Sequence, residues 1–543
     1  MPTSPTLSDE VTWISGVDAN GRTAINFWSD SNPDADTFKW GSNNIGTASG
    51  TINYYFDPAS NWNATEQLMF TAALALYSAV ANITLNLVTT APTTGITINR
   101  SSDGSATGGF SSAVPDGSTP TIGGTRAWSI RVGDVNIDTS VQSFGPLDGT
   151  FSTNGGFPWQ VILHEIGHSL GLGHGGDYSG NVNPATQQYS AYDNRQYTVM
   201  SYIDPDVTSA LYYSQNPSPP SWGTTTKNGF VWDNVATTLM PVDILAVQRL
   251  YGAPTSTPLS GGQIFGFHTN ITGALAPFYD FTINTKPVVT LFSTGANNTL
   301  DVSSYGGTLH ATINLNPGTF SSVGGLTNNI AIAYGTAIDS VLCGSGNDVV
   351  ICNDNGDFVS GGTGNDLIIG GAGNDRLQGG GGTNTINGGG GIDTLIQARE
   401  SFNYTLIRNV DGSIKISSIF GDVNTITNIE FIQFSDMTIA VGIPGRSDFN
   451  GDGKSDILWQ NSAGQARIWL LNGTSVLSDA NAGSAMGSDW HVRGVGDFNG
   501  DGKSDILWQN DSGRAALALM NGTSVIGGDY VGSNLGLNWH LVS

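Results

Sequence analysis

From residue 343 to 396 an apolar side chain returns at every ninth position: Val350, Val359, Ile368, Leu377, Ile386 and Leu395, with Val341 one step earlier in the same phase. Glycines and one acidic residue fill each interval, so every nine supplies a turn and a strand of about three residues. Two nines make one coil of a parallel roll, and residues eighteen apart stack. A flexible linker has no reason to hold phase over six units. Elsewhere the period is helical. An alanine-rich run through Val80 starts after Asn63, an N-cap residue with Glu66 three positions on as its capping partner. Apolar residues at 244, 245, 247 and 250 predict a second helix within 242–252. After Gly442 the texture changes again. The stretch from Asp448 to Asn461 recurs from Asp497 to Asn510, a shift of 49; Asn472-Gly-Thr-Ser-Val476 recurs at Asn521 and Trp490-His491 at Trp539-His540. Ile457-Leu-Trp459 reads as a strand. Trp459 and Trp508 are expected to give each repeat its own local core.

Candidate chemistry sits in one run, His164-Glu-Ile-Gly-His-Ser-Leu-Gly-Leu-Gly-His174. His164 and His168 are four apart on a helix and share a face, so both imidazoles can reach one ion. His174 cannot join by continuing that helix, because at about 1.5 Å per residue it would lie roughly 15 Å along the axis from His164. The chain must break and return, and Gly171 is placed for the left-handed turn. Three neutral histidines are ligands for one tetrahedral zinc, with the fourth position left to water as in a catalytic site. Glu165 is then the general base. Met200, in Tyr197-Thr-Val-Met-Ser-Tyr-Ile203, follows His174 by 26 residues and would form the turn beneath the zinc.

The extended histidine motif with a later Met-turn is the metzincin signature. At this point the chain resembles the serralysins, secreted bacterial metzincins. That resemblance implies that Tyr202 is a further, displaceable zinc ligand that swings off the metal to stabilise the tetrahedral intermediate. Asn61 to Val80 and Val242 to Gly252 also look like serralysin segments. Three departures stand out: Gly175-Gly176 where serralysins commonly have proline then glycine, an apparent inserted loop from Ser214 to Lys227, and Asn298 where the family usually shows aspartate. The first two touch no ligand position and bear on substrate preference; the third weakens calcium binding at that point.

The chain's 543 residues suit about three domains. The expected fold is an α+β metzincin catalytic domain over 1–255, including any short N-terminal propeptide, then an all-β parallel β-roll over 256–443 and a small all-β module over 444–543. The module's two repeats resemble FG-GAP or VCBS-like blades. Two blades cannot close a propeller of four or more, so the module is expected to bind a surface or a partner. A balance of 44 Asp and Glu against 19 Lys and Arg, net -25, excludes nucleic acid as a partner and suits a chain dense in calcium ligands. In the roll, which fits the calcium-binding nine-residue repeat of RTX proteins, the expected ligands are Asp339, Asp348, Asp357, Asp366, Asp375 and Asp393, with Asn384 in the same phase. In the module, Asp448, Asn450, Asp452 and Asp456, and again Asp497, Asn499, Asp501 and Asp505, have the oxygen spacing of calcium loops.

Cys343 and Cys352 hold the same repeat position one nine apart, on opposite edges of a roll, so no disulfide is expected. No cysteine precedes Cys343 to block the zinc with a thiol. No stretch approaches the roughly 20 apolar residues of a membrane span, and the N-terminus lacks the basic start and apolar core of a secretory signal. The resemblance implies export by type I secretion machinery through an uncleaved C-terminal signal, an extracellular location, protein or peptide substrates, one catalytic zinc and several structural calcium ions. The competing class is a calcium-dependent surface or adhesion protein with a vestigial protease domain. Intact His164, His168, His174 and Glu165 argue against it.

Overall fold

The computed structural model describes residues 3–29, 37–114, 120–147, 156–215, 219–227, 230–409, 411–441, 447–452, 454–534 and 536. The chain forms two compact units, Met1–Gly364 and Asn365–Ser543.

In the first unit a six-stranded sheet carries the motif helix. Strands β1 (Phe38–Trp40), β2 (Thr51–Phe56), β3 (Thr84–Leu87), β4 (Gly95–Arg100) and β6 (Trp128–Ile137) run parallel in the order β1-β6-β4-β2-β3, and β5 (Ala106–Val114) pairs antiparallel to β6. Helix α2 (Ala64–Val80) starts as the sequence predicts: Asn63 accepts from the Glu66 amide at 3.0 Å, and Glu66 accepts from the Asn63 amide at 2.9 Å. Glu66 also takes the Arg100 guanidinium at 2.8 Å, which fastens the helix start to β4. The motif helix, Phe157–Ser169, lies against α2, with the Tyr77 hydroxyl donating to the Leu163 carbonyl. The third predicted helix, Pro241–Tyr251, buries Val242, Ile244, Val247 and Leu250. Its Tyr251 hydroxyl donates to the Leu170 carbonyl and accepts from the Trp40 amide, tying β1 to the end of the motif helix.

A helix the sequence reading did not foresee, α1 (Leu7–Ser15), is part of this core. Val11 and Ile14 are fully buried, and Arg249 donates to Ser8, Thr12 and Val17. Within the segment from 214 to 227, Thr224–Lys227 forms a strand paired with Phe230–Asp233, and Trp222 and Ser221 bond to Asn328 and Thr327 of the first roll turns. Further contacts join the part carrying the motif helix to these turns, including the stack of Trp159 on Phe278 at 5.3 Å. The roll begins here as parallel strands Ile264–Gly266, Thr299–Asp301, Ser340–Leu342 and Phe358–Ser360 on one side, and Thr312–Asn314 with Val349–Ile351 on the other. Val341 pairs with Val359, eighteen residues on.

The second unit continues the nine-residue rhythm. Leu367 stands opposite Thr385 and Arg376 opposite Thr394, again eighteen apart. Val350, Val359, Ile368, Leu377, Ile386 and Leu395, the predicted inward positions across both units, are all fully buried. After Ile396 the period lapses and the strands turn antiparallel, Tyr404–Arg408 on Ile414–Ser418 and Phe431–Gln433 on Thr438–Ala440, which covers sheet edges a repeat would otherwise leave open.

The tandem repeats form two antiparallel sheets: Ile457–Gln460, Ala466–Asn472 and Ser475–Asn481 in the first, and Trp490–Gly496, Asp505–Asn510, Ala515–Asn521 and Ser524–Val531 in the second. One correction to the sequence reading arises here. The repeats do not have separate cores: Trp508 is buried, but its counterpart Trp459 is 48% exposed, and a single cluster unites Ala466 and Ile468 with Ile506, Trp508 and Ala516. The strand carrying Trp490 pairs with the second sheet, so the first repeat lends its last strand to the second and does not close alone. Trp539 and His540 lie outside the described residues.

Candidate metal and catalytic centre

The motif helix ends at Ser169, and Gly171 turns the chain back with φ 99. A Cβ at 171 would stand 2.2 Å from the Phe38 carbonyl oxygen, so both the dihedral and the space demand glycine. The return brings His174 to the two helical histidines: Nε2 of His168 lies 3.0 Å from Nε2 of His164 and 3.0 Å from Nε2 of His174. All three rings are fixed from behind. Nδ1 of His164, His168 and His174 meets the carbonyls of Val199, Leu172 and Tyr178 at 2.9, 2.8 and 2.6 Å. A carbonyl cannot donate, so each Nδ1 carries the proton and each Nε2 presents a lone pair. Three lone pairs converging in a buried site repel unless a cation lies between them. Tetrahedral zinc at about 2.1 Å per nitrogen sets nitrogens about 3.4 Å apart, a few tenths of an ångström wider than found here. The residues fit the ion.

Burial holds all three imidazoles neutral. It pushes His164 well below the ordinary histidine range, with His168 and His174 adding to the effect, His168 down to about 4, and His174 down to about 2 with help from the adjacent His168. Glu165 is buried beside them and is raised to about 7 by desolvation, which the Gly108 amide partly offsets by donating to the carboxylate. Strand β5 crosses so close that a Cβ at 108 would stand 1.9 Å from the Glu165 carbonyl oxygen. No periodic signal in the sequence singles out Gly108.

Met200 is fully buried under the site, and a Cβ at Gly167 would come within 2.6 Å of its sulfur. The turn is held by Asp243 of helix Pro241–Tyr251, which accepts from the Thr198 hydroxyl and from the amides of Val199 and Met240 at 2.6, 2.9 and 2.9 Å. Since the Val199 carbonyl receives His164, Asp243 positions this candidate ligand through a single residue, Val199. Burial raises its carboxyl to about 6. An acidic residue in a first helical turn ordinarily reads as a partner of the helix dipole, so this role was hidden. Asp243→Asn should weaken zinc retention by about 10- to 100-fold, the usual cost of losing an outer partner. Chelator competition at constant circular dichroism would measure it, and unchanged retention would refute the role.

Tyr202 packs its ring 4.6 Å from that of His174 and 5.4 Å from that of His164. Desolvation, and then the nearby Glu165, raise its phenol to about 12. Next to Gly175, Asp193 fills the space that a proline ring would need: a Cβ at 175 would lie 2.4 Å from its Oδ1. Asp193 accepts from the Tyr178 and Ser201 hydroxyls and the Tyr189 amide. Glu10 of α1 faces it, fully buried, with only the Ser190 hydroxyl as donor. Burial and the Asp193 charge raise Glu10 well above the usual carboxylate range.

The expected calcium residues fall into two groups. In the roll, Asp339 accepts from the Asn298 amide, Asp348 from the Ala311 amide and Asp357 from Asn353. Further along, the Asp366 and Asp375 amides donate to Asn384 and Asp393, eighteen residues ahead. Oδ2 of Asp393 is buried with no hydrogen-bond partner, and burial, with Asp375 and Glu430 nearby, raises this carboxyl to about 7. That orphaned oxygen suits a cation. At the degenerate position Asn298 the amide group instead donates to the carbonyls of Gly295 and Ala337 at 2.7 and 2.8 Å, bridging them without an ion. In the module, Asp448, Asn450 and Asp452, and likewise Asp497, Asn499 and Asp501, curl around their own loop amides. Asp456 and Asp505 close these loops from the strand side: one carboxylate oxygen accepts from the loop amide of Phe449 or Phe498, and the other from the amide of Leu471 or Met520, where the neighbouring strand is bulged. Cys343 and Cys352 are buried and no disulfide joins them.

Residues 256–465 match the family described as Peptidase M10 serralysin C terminal, and residues 448–533 match the FG-GAP-like repeat. Among curated proteins, the chain is similar to Serralysin C of Dickeya chrysanthemi, 36% identical over 190 residues, 34% of this chain and 34% of that protein. It is similar to Metalloprotease AprA of Pseudomonas entomophila (strain L48), 37% identical over 202 residues, 35% of this chain and 36% of that protein. The aligned part thus spans about a third of these relatives' length. Among solved structures, high choriolytic enzyme 1 of Oryzias latipes, a hatching enzyme zinc-protease, aligns with TM-score 0.20 and 13% identity over 39% of this chain and 91% of that chain, too weakly to bear on the fold. No helix among the described residues is long and apolar enough to cross a membrane.

Proposed function

Starting from a serralysin-type metzincin with FG-GAP-like repeats, which the family and relative matches support, we propose that this chain is a secreted, calcium-stabilised zinc endopeptidase that hydrolyses peptide bonds of extracellular proteins. Its parts would be the catalytic domain over 1–255, the roll over 256–443 and the repeat module over 444–543, with export by type I secretion machinery. The reading rests on one observation above all: three Nε2 lone pairs, oriented by three backbone carbonyls, converge beside a desolvated glutamate.

His164, His168 and His174 would hold the zinc, with Tyr202 as a displaceable fourth protein ligand. Bound zinc would lower the pKa of a water toward about 7 and polarise the scissile carbonyl. Glu165 takes the proton of the attacking water and returns it to the departing amine, a shuttle suited to a carboxyl raised to about 7. The Gly108 amide keeps that carboxylate in place. Tyr202, whose phenol stays protonated, donates to the developing oxyanion. Among the described residues β5 pairs only with β6, so its other edge is free to receive an extended peptide by backbone hydrogen bonds.

Metal analysis of the purified chain together with casein digestion, before and after chelation, tests the reading. One zinc per chain and chelator-sensitive digestion are expected; digestion by zinc-free protein would overturn it. Tyr202→Phe should lower kcat by about 10- to 100-fold with little change in KM, the loss of a single oxyanion donor. Unaltered kcat would remove the tyrosine from the mechanism.

A further inference from the structure

The two C-terminal repeats pack front to back, and this leaves two faces that match. Residues directly opposed in an antiparallel pair point to the same side of the sheet. In the first repeat, Leu458 opposes Ile468, so these two, with Ala466 and Leu470 in the same phase, form one face, the front. Ile457 opposes Trp469 and Trp459 opposes Arg467, forming the back. The shift of 49 carries this pattern onto the second repeat: Leu507 opposes Leu517 on its front, and Ile506 and Trp508 oppose Ala518 and Ala516 on its back.

The shared core joins unlike faces. Leu458, Ala466, Ile468 and Leu470 from the front of the first repeat meet Ile506, Trp508, Ala516 and Ala518 from the back of the second. Such an interface is heterologous, and among the described residues it uses one face of each repeat. On the free back of the first repeat, Trp459 is 48% and Ile457 37% exposed, and Trp459 lies edge-on to Trp469 at 5.2 Å. On the free front of the second, Leu507 and Leu517 are partly exposed, and Val531, opposite Ala515, is 43% exposed. Each free face is the positional counterpart of a face that is buried within the chain.

We propose that a second copy of this chain covers these faces, the front of its second repeat seated on the back of the first repeat here, extending the intramolecular interface from chain to chain. Side-chain size favours the copy as occupant. The intramolecular contact carries a cleft of about 350 Å³, lined by Ala516, Ala518, Met486, Trp508 and Tyr530. The small Ala516 and Ala518 leave that space, whereas the free back carries Arg467 and Trp469 at the same positions, so the contact between chains has the bulk to fill it. Arg467 is already paired with Asp479 and brings no unpaired charge. A ring closed by such contacts needs four or more blades. A head-to-tail contact either closes such a ring or grows as a filament.

The test is sedimentation of the full chain, loaded with zinc and calcium, over a wide concentration range. Assemblies of two or more chains are expected. Trp459→Glu, on the back, and Val531→Glu, on the front, change exposed residues and should each weaken assembly by about thirtyfold or more, the least effect of an interface hot spot. Casein digestion by both variants should stay at the parent rate, which checks their folding. Mixing the two variants should restore dimers, because the first retains an intact front and the second an intact back. A chain that stays monomeric throughout, an assembly that neither substitution weakens, or a mixture that fails to associate would each overturn the proposal. Failure here would leave the protease reading untouched, since none of these residues belongs to the metal centre.

Discussion

Glu165→Ala should cut peptide hydrolysis by about a thousandfold or more while the chain keeps its zinc, because the ligand set and the proton shuttle belong to different side chains. His164, His168 and His174 are each oriented by a backbone carbonyl, and none of them bonds to the Glu165 carboxyl. Glu165 is instead held from β5 through the Gly108 amide, so its removal leaves the three imidazoles in place. The comparison that decides the matter is zinc content by mass spectrometry beside casein turnover in the same preparation. Substantial residual turnover with zinc bound would sink the general-base assignment. Loss of zinc along with activity would show that the glutamate holds the metal site together, contrary to the geometry found here. Glu165→Asp should recover only a small part of the rate, since shortening the side chain by one methylene withdraws the carboxylate from the water it must deprotonate.

The sequence revealed the histidine cluster better than it revealed what steadies that cluster. The histidine spacing and the break at Gly171 follow from helix geometry and from glycine's dihedral freedom, both local properties of the chain, whereas Met200 was legible only through the resemblance to the metzincin signature; the helix ends at Ser169, Gly171 takes φ 99 and Met200 is buried. The positioning residues are distant in sequence. Asp243 reaches Val199 across 44 positions, the Gly108 amide serves Glu165 from another strand, and Glu10 meets Asp193 from the far N-terminus. Such pairings depend on tertiary packing, which periodicity does not encode. The same limit explains the repeat module. A shift of 49 residues made Trp459 and Trp508 look equivalent, yet front-to-back packing buries one and exposes the other, because only one of the two equivalent faces has a neighbour within the chain. Within the nine-residue repeats of the roll, by contrast, strands pair at a fixed step of eighteen and the buried positions follow the period, whereas the flanking coils, where Leu300 pairs with Val341 and Ile386 with Ile426, keep no such step and were not legible in register.

Chelation of calcium should unfold the roll between about Tyr334 and Ile396, with loss of strand signal and rapid cleavage by an added protease, while millimolar calcium should restore both order and resistance. Each nine-residue unit buries one principal apolar side chain, worth about 1.5–3 kcal/mol, against an ordering cost of about 1–2 kcal/mol for each residue's backbone. The hydrophobic contribution is therefore too small by several fold, and the carboxylates make the deficit worse. Asp348, Asp357, Asp366, Asp375 and Asp393 are all buried, Asp393 has an oxygen with no hydrogen-bond partner, and its carboxyl is already raised by burial and by Asp375 and Glu430. A divalent ion between the carboxylates would relieve their repulsion, and at a thousandfold excess over its Kd each bound ion adds about 4 kcal/mol. The coils near Asn298 should resist longest, because there an amide group already bridges the carbonyls of Gly295 and Ala337 that an ion would otherwise join. Hydrogen exchange with and without EGTA would resolve this order. Equal protection of all coils in excess chelator would mean that the stacked aspartates need no ion, and the calcium reading of the roll would fall.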